Sequence, residues 1–197
     1  MRFNSDQIQK IGKEISSKVD GKTLFDEFSR GRYSTDASVY QIKPLGVVLP
    51  KDTNDVLSLM EYSQKNSVPL LARGGGSSQC GQTVGESVVL DYSKHQNKIL
   101  ELNVEEKYVW VQPGVVLDHL NAYLKPHGLW FPVDVSTSSR ATIGGMSANN
   151  SCGSRSLYYG NMVHNVLAIE AILDDGSIFQ FDQINKNYLA TKNNQDR

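Results

Sequence analysis

Residues 70–81 read LLARGGGSSQCG: a short apolar run, an arginine, three consecutive glycines and two serines. Glycine gives up more backbone freedom on ordering than any other residue. A triplet directly behind a strand therefore marks a place where side chains would be in the way. The run before it, Pro69, Leu70, Leu71 and Ala72, reads as a strand, and residues 47–49 (VVL) form a shorter one ended by Pro50. Between them DTNDVLSLMEYSQKN starts at Asp52, with Asp52 and Thr53 as cap candidates and Val56, Leu57 and Met60 on its apolar side. That is a helix. Strand, helix and strand in this order are the natural crossover of a parallel pair.

The rest of the chain extends the pattern. Ile8, Ile11, Ile15 and Val19 recur at three- and four-residue steps behind Ser5 or Asp6, which predicts an amphipathic N-terminal helix. Residues 21–40 are mixed and polar and are expected to run over the surface. After the triplet, SVVLDY (87–92), KILELN (98–103) and YVWVQP (108–113) read as short strands, the last two alternating between a wet and a dry face. Residues 115–125 carry Val116, Leu117, Leu120 and Leu124 with Gly128 just beyond, a helix with a glycine stop. VLAIEAIL (166–173), Asp175-Gly176 and SIFQF make a hairpin. The class is α+β, with an early βαβ-like part and a later antiparallel part.

Composition excludes several functions. The 197 residues are 39% hydrophobic and 21% charged with a net charge of −1 and no long run of one sign, so neither a nucleic-acid surface nor a polybasic membrane patch is expected. No apolar run approaches the roughly 20 residues needed to span a bilayer, and the N-terminus is too polar for a secretory signal. A cytoplasmic location, or one peripheral to a membrane, follows as the expectation. Cys80 and Cys152 cannot build a metal cage by themselves, so no metal is expected, and both are read as reduced, partly buried thiols.

Consecutive glycines let several backbone N–H groups face one point, a concavity suited to a phosphate or diphosphate. Ser77 and Ser78 add hydroxyls, and Arg73 offers charge or a brace. The loop is not a P-loop, which needs Lys-Ser or Lys-Thr after its last glycine. Nor is it the G-x-G-x-x-G dinucleotide turn, because Gln79 stands where the third glycine would be. Taken alone, the triplet also fits a tight turn without a ligand. A second stretch, TIGGMSANNSCGSRSLYYG (142–160), is again rich in glycine, asparagine and serine, with Arg155 its one charge, and follows WFPVDVSTSSR (130–140). Two such segments can line the two sides of one long, polar, mostly uncharged ligand.

At this point the chain resembles the N-terminal part of the FAD-linked oxidase family, whose PCMH-type FAD-binding domain is named after p-cresol methylhydroxylase. The matching segments are RGGGSSQCGQ (73–82), VVLDYSK (88–94), VQPGVVLDHLNAYLKPHGLWFP (111–132), TIGGMSANNSCGSRSLYYG and VLAIEAILDDGSI (166–178), in order and spacing over about residues 33–181. The resemblance implies two α+β subdomains with extended FAD between them: 33–92 the first, 93–184 an incomplete second, 1–32 an N-terminal helical extension and 185–197 a polar tail. By match to the family motif, Gly74, Gly75, Gly76, Ser77 and Ser78 form the pyrophosphate loop, with Arg73 bracing it and Gly81 and Gln82 following. Pro132, Thr142, Ile143, Gly144, Gly145, Ala148, Asn150 and Ser151 would lie along the cofactor from the other side. Amides and hydroxyls are the groups a diphosphate and ribityl chain can use.

Some family members attach flavin through a histidine in the glycine loop. Here Ser77 stands in its place, which implies non-covalent FAD. Cys152 reads as a small residue filling a tight loop rather than a redox centre. His119, His127 and His164 read as surface or cap positions. NNSCGSRS most resembles large D-2-hydroxyacid dehydrogenases, some fused to an iron–sulfur module. In such enzymes a base takes the hydroxyl proton, the α-hydride goes to the flavin, and electrons pass to a second acceptor such as an iron–sulfur module or a quinone. The family's domain continues past residue 181 and a substrate cap follows, so the chain is expected to be a fragment, inactive alone, with the 2-hydroxyacid pocket and catalytic residues elsewhere. Two alternatives stand beside this: another flavoenzyme of the same fold, such as a sugar or lactone oxidase or an NADPH-dependent cell-wall reductase, and a folded fragment unable to hold FAD by itself.

Overall fold

The computed structural model describes residues 3–182. The expected polar tail, 185–197, and the end of the second subdomain lie outside the described residues. Two strands built around short apolar runs, β2 (Gly46–Leu49) and β4 (Val88–Asp91), are buried along their whole length, the Asp91 at the end of β4 included. Strands of this kind have no wet face and belong at the centre of a sheet. They form the middle of a four-stranded sheet with β1 (Lys22–Leu24) antiparallel on the β2 edge and β3 (Leu70–Arg73) parallel on the β4 edge. The strands 47–49 and 70–73 therefore share a sheet in parallel, but they are not neighbours. β4 lies between them, because its run of Val88, Val89 and Leu90 needs cover on both faces.

Alternation along β2 and β4 separates two cores. Val48, Val88 and Leu90 face Ile8, Ile11 and Ile15 of helix α1 (Ser5–Ser16) and Val56, Leu59 and Tyr62 of helix α3 (Thr53–Asn66). Val47, Leu49 and Val89 pack on the other face against Leu24, Tyr33 and Leu71. The N-terminal segment is thus woven into the sheet layer. Its entry is capped by Asn4, whose side chain and that of Gln7 exchange hydrogen bonds with each other's backbone, where Ser5 or Asp6 was expected to cap. Residues 21–40, expected to be surface chain, contribute β1 and the short helix α2 (Glu27–Arg32). The Asp55 carboxylate, in the first turn of α3, accepts from the amides of Asp20, Gly21 and Lys51 and fixes the approach to β1.

The second part begins with the hairpin β5 (Ile99–Asn103) and β6 (Tyr108–Val111). Its Ile99, Leu102, Val109 and Val111 pack against Leu120 and Leu124 of helix α4 (Leu117–Leu124), which passes through a 3₁₀ turn (Lys125–His127) and stops at Gly128 with φ +69. Three short helices follow, α5 (Ile143–Ala148), α6 (Ser156–Tyr159) and α7 (Met162–Asn165). Met146 and Met162 join Leu117, Val133 and Ala141 in a further core. The hairpin β7 (Ala168–Ile172) and β8 (Ile178–Asp182) turns at Asp175-Gly176 and touches the first part through Ile172 and through a hydrogen bond from the Gln64 side chain to the Asp174 carbonyl.

Candidate functional site

The glycine triplet leaves the end of β3 and runs directly against the segment that leads into α5. A Cβ on Gly74 would lie 3.2 Å from Thr142 Cβ and far closer to its hydroxyl, and one on Gly75 would lie 2.8 Å from the Arg140 carbonyl carbon and closer still to its oxygen. Both contacts are too short for any side chain. Gly76 takes φ +64 and rests on the Arg73 guanidinium, with room for no more than hydrogen. The triplet is therefore required first by the protein's own packing: it lets the two polar segments touch.

Beyond the triplet the two segments are joined by side chains. Gln82 Nε2 donates to Asn149 Oδ1 at 3.0 Å, and the Ser78 hydroxyl donates to Gln82 Oε1 at 2.8 Å while accepting from the amides of Cys80 and Gln82. Gly81, with φ +72, packs on the Tyr40 ring. Arg73 does not reach into the loop. Its Nη1 donates to the Thr83 carbonyl at 3.1 Å, its Nη2 to the Thr35 carbonyl at 2.9 Å, and its guanidinium lies over the Tyr33 ring at 5.2 Å. The Tyr33 hydroxyl in turn donates to the buried Asp91 at 2.6 Å, and burial together with this carboxylate pushes the phenol well above its ordinary range.

On the facing segment, Thr142 caps α5 by accepting from Gly145 N. The amides of Ile143 and Gly144 donate to the carbonyls of Val115 and Pro113, and Gly144 is pressed against the Pro113 ring. Those two amides are committed to holding the segment. Gly145 and Ala148 are exposed on α5, and Asn150, at φ +47, accepts from Val163 N. The backbone of Ser151 pairs with Met146 and Met162. Pro132 lies between Phe131, whose amide donates to Asn121, and the buried Val133. No hydrogen bond joins Pro132 to either glycine segment among the described residues.

What this leaves open is a set of donors. Among the described residues, neither the backbone N–H groups of residues 74–78 nor the Ser77 hydroxyl makes a hydrogen bond, and none of the loop's side chains is acidic. Free amides and a hydroxyl on a glycine turn, with an arginine held behind it, fit the oxygens of a diphosphate. The three candidate histidines of the four in the chain are placed elsewhere: His119 is exposed on α4, His127 lies beside Tyr123, and His164 Nδ1 accepts from Asn161 N in the cap of α7. Cys80 and Cys152 are free and exposed, which corrects the expectation of partial burial.

Several residues of the site carry no motif that sequence inspection singled out. Arg140 meets the loop through its backbone carbonyl and Asn149 through its side chain, and no local pattern marks either. Asp134 accepts from Ser154 Oγ and Arg155 N, and these hydrogen bonds lower its pKa; a Cβ on Gly153 would meet it. Asp36, which accepts from Ser38 N at 2.9 Å and from Thr83 Oγ1 at 3.0 Å, lay in the stretch read as plain surface. Its Asp-x-Ser turn was the one available signal.

Comparison with known proteins agrees with this geometry. The FAD binding domain family matches residues 44–182. D-2-hydroxyglutarate dehydrogenase from Haemophilus influenzae is 42% identical over 155 residues, 77% of this chain and 15% of that protein. Glycolate oxidase subunit GlcD from Bacillus subtilis is 36% identical over 178 residues, 88% of this chain and 38% of that one. The chain thus spans well under half the length of these relatives. Among solved structures, p-cresol methylhydroxylase with substrate bound superposes with a TM-score of 0.73 at 18% identity over 90% of this chain and 36% of its own, and alkyldihydroxyacetonephosphate synthase with 0.75 at 20% over 91% and 35%. The fold is that of PCMH-type proteins, α+β as the sequence implied. No helix among the described residues is long and apolar enough to cross a membrane. On the strength of the match over most of its length, the chain belongs to the FAD binding domain family.

Proposed function

We propose that this chain is the FAD-binding portion of a flavin-dependent D-2-hydroxyacid dehydrogenase, with residues 33–92 and 93–184 as the two subdomains that flank the cofactor. The observation that carries the proposal is the free donor set of residues 74–78 at the point where the two polar segments meet. The amides of Gly74, Gly75, Gly76, Ser77 and Ser78 receive the diphosphate, each charge-assisted bond being worth roughly 1.5–3 kcal/mol. Arg73 supplies positive charge from behind while its own donors stay on Thr35 and Thr83. Gly145, Ala148 and Ser151 offer a small-residue wall with little to exclude a planar or extended ligand. Bound FAD supplies a two-electron acceptor for the α-hydride of a 2-hydroxyacid. Ser77 has no ring nitrogen to bond to flavin, so the cofactor is held non-covalently.

The relatives named as dehydrogenases of D-2-hydroxyglutarate support the substrate class. In the complete enzyme the electrons leave for an acceptor outside this chain, an iron–sulfur module or a quinone, in the cytoplasm or at a membrane surface. The test is an absorbance spectrum of the purified 197-residue chain with added FAD, followed by gel filtration and acid precipitation. Flavin bands that travel with the protein and are released into the acid supernatant are the expected result. Colour retained in the pellet overturns the non-covalent linkage; a folded chain that keeps no flavin overturns the claim that this portion holds the cofactor.

A further inference from the structure

We propose that residues 33–41, which lie before the family match at 44–182, are the outer wall that sets the shape of the glycine loop, with Asp36 as its positioning residue. The proposal rests on the FAD-binding function argued above. Segment 34–42 folds back on itself, with Ile42 N donating to Ser34 O and a bridge between Thr35 and Gln41, and it is tied to α2 through Ser34 Oγ and the Gly31 carbonyl. From this anchored base three contacts reach the loop. The Thr35 carbonyl accepts from Arg73 Nη2, the Asp36 carboxylate accepts from the amide and hydroxyl of Thr83, and the Tyr40 ring supports Gly81.

These contacts form one circuit. Asp36 fixes Thr83; the Thr83 carbonyl fixes Arg73 Nη1; and Arg73 is the surface on which Gly76 rests, so closely that a Cβ there would lie 2.9 Å from its Cζ. A shift of Thr83 is therefore felt at Gly76, in the middle of the free amides. Asp36 has no direct line to those amides and acts only through Thr83 and Arg73. Its second oxygen is occupied by Ser38 N, which stops the carboxylate from rotating away. Both carboxylate oxygens are in use, and the segment is held from below by the Tyr33–Asp91 hydrogen bond.

The experiment compares Asp36→Ala, Thr83→Val, the double variant and Thr83→Ser in the 197-residue chain, with FAD as the probe. Amide hydrogen exchange of Cys80 and Gln82, the hydrogen-bonded amides of the loop, is measured without FAD, the dissociation constant by flavin fluorescence, and the fold by thermal melting. Either single variant is expected to raise Kd about tenfold, the effect of losing roughly one charge-assisted hydrogen bond. The double variant should be no worse than the singles, and Thr83→Ser should restore binding. Exchange should quicken at Cys80 and Gln82, whose amides are bonded to Ser78 Oγ, and stay unchanged in α3 and β4. Unchanged exchange and Kd in both singles, effects that multiply in the double variant, or collapse of the whole fold in both singles would each overturn the wall. If the unaltered chain binds no FAD, the cofactor assignment fails by itself, and the exchange measurement still decides whether Asp36 shapes the loop.

Discussion

Replacing Gly75 by alanine tests whether the glycine loop is built for contact with the facing segment. Gly75 has no positive φ, so alanine brings no backbone strain and the effect is steric. The added Cβ would sit 2.8 Å from the Arg140 carbonyl carbon and nearer to its oxygen, against an ordinary carbon–carbon separation of about 3.5–4.0 Å. The obstacle is backbone, which no rotamer change can clear. The Arg140 amide is itself held by Thr137 O, and the neighbouring Ala141 carbonyl accepts from Leu117 N at the start of α4. The two segments must therefore part by about 1 Å, which places the cost near the upper end of overpacking, about 2–3 kcal/mol. For a chain of this size that corresponds to a fall in melting temperature of roughly 4–12 °C. The separation also stretches the Gln82–Asn149 hydrogen bond and displaces the amides of residues 74–78, so FAD affinity should fall about tenfold or more. The assay is thermal denaturation by circular dichroism together with a flavin fluorescence titration. Gly31→Ala serves as control, because nothing lies within 4 Å of its Cβ position and the change sits in α2, where alanine is favoured by up to about 1 kcal/mol. A Gly75→Ala protein that melts with the unaltered chain and binds FAD equally well would refute the direct contact of the two segments.

Other outcomes follow from the same geometry. Gly145→Ala places a Cβ 3.2 Å from Thr142 Oγ1 inside α5, so stability should hold within about 1 kcal/mol while FAD affinity drops; equal affinity would remove Gly145 from the cofactor wall. Ile15→Ala, at a fully buried position of α1, should cost about 2–5 kcal/mol in urea unfolding, and a cost under 1 kcal/mol would mean that the N-terminal helix is peripheral. Burial pushes the Tyr92 phenol up to about 12. The folded state therefore holds this proton more tightly than the unfolded chain, whose phenol titrates near 10. Its contribution is complete below about pH 10 and is lost as pH rises toward about 12, about half of it by pH 11. Urea midpoints measured from pH 8 to 11 should fall accordingly, and a smaller alkaline loss in Tyr92→Phe, with the share of the raised Tyr33 and Tyr62 phenols remaining, assigns this part to Tyr92; an equal loss in that variant would count against the assignment.

Local patterns were enough for most of the elements. The three- and four-residue spacing of Ile8, Ile11 and Ile15, the Asp52 cap of α3, Gly128 behind α4 and the Asp175-Gly176 turn all act over a few residues, and each element formed where its pattern stood. The ordered glycine and asparagine segments likewise carried the family and its fold in the sequence itself. Three matters were decided only by the assembled chain. β4 took the place between β2 and β3 because its apolar run needs cover on both faces, and pairing across such separations depends on the whole set of strands competing for the centre. Residues 5–24 joined the first core rather than standing outside it, since three isoleucines on one stripe bury only where a sheet face is free to receive them. The glycines of the triplet could be read as positions without room, but not what fills the room. That it is Arg140, Thr142 and the Arg73 guanidinium, with Asp36 and Thr83 behind it, follows from contacts between residues as many as 68 apart in the chain, from Gly74 to Thr142, and no periodicity or local propensity reaches that far.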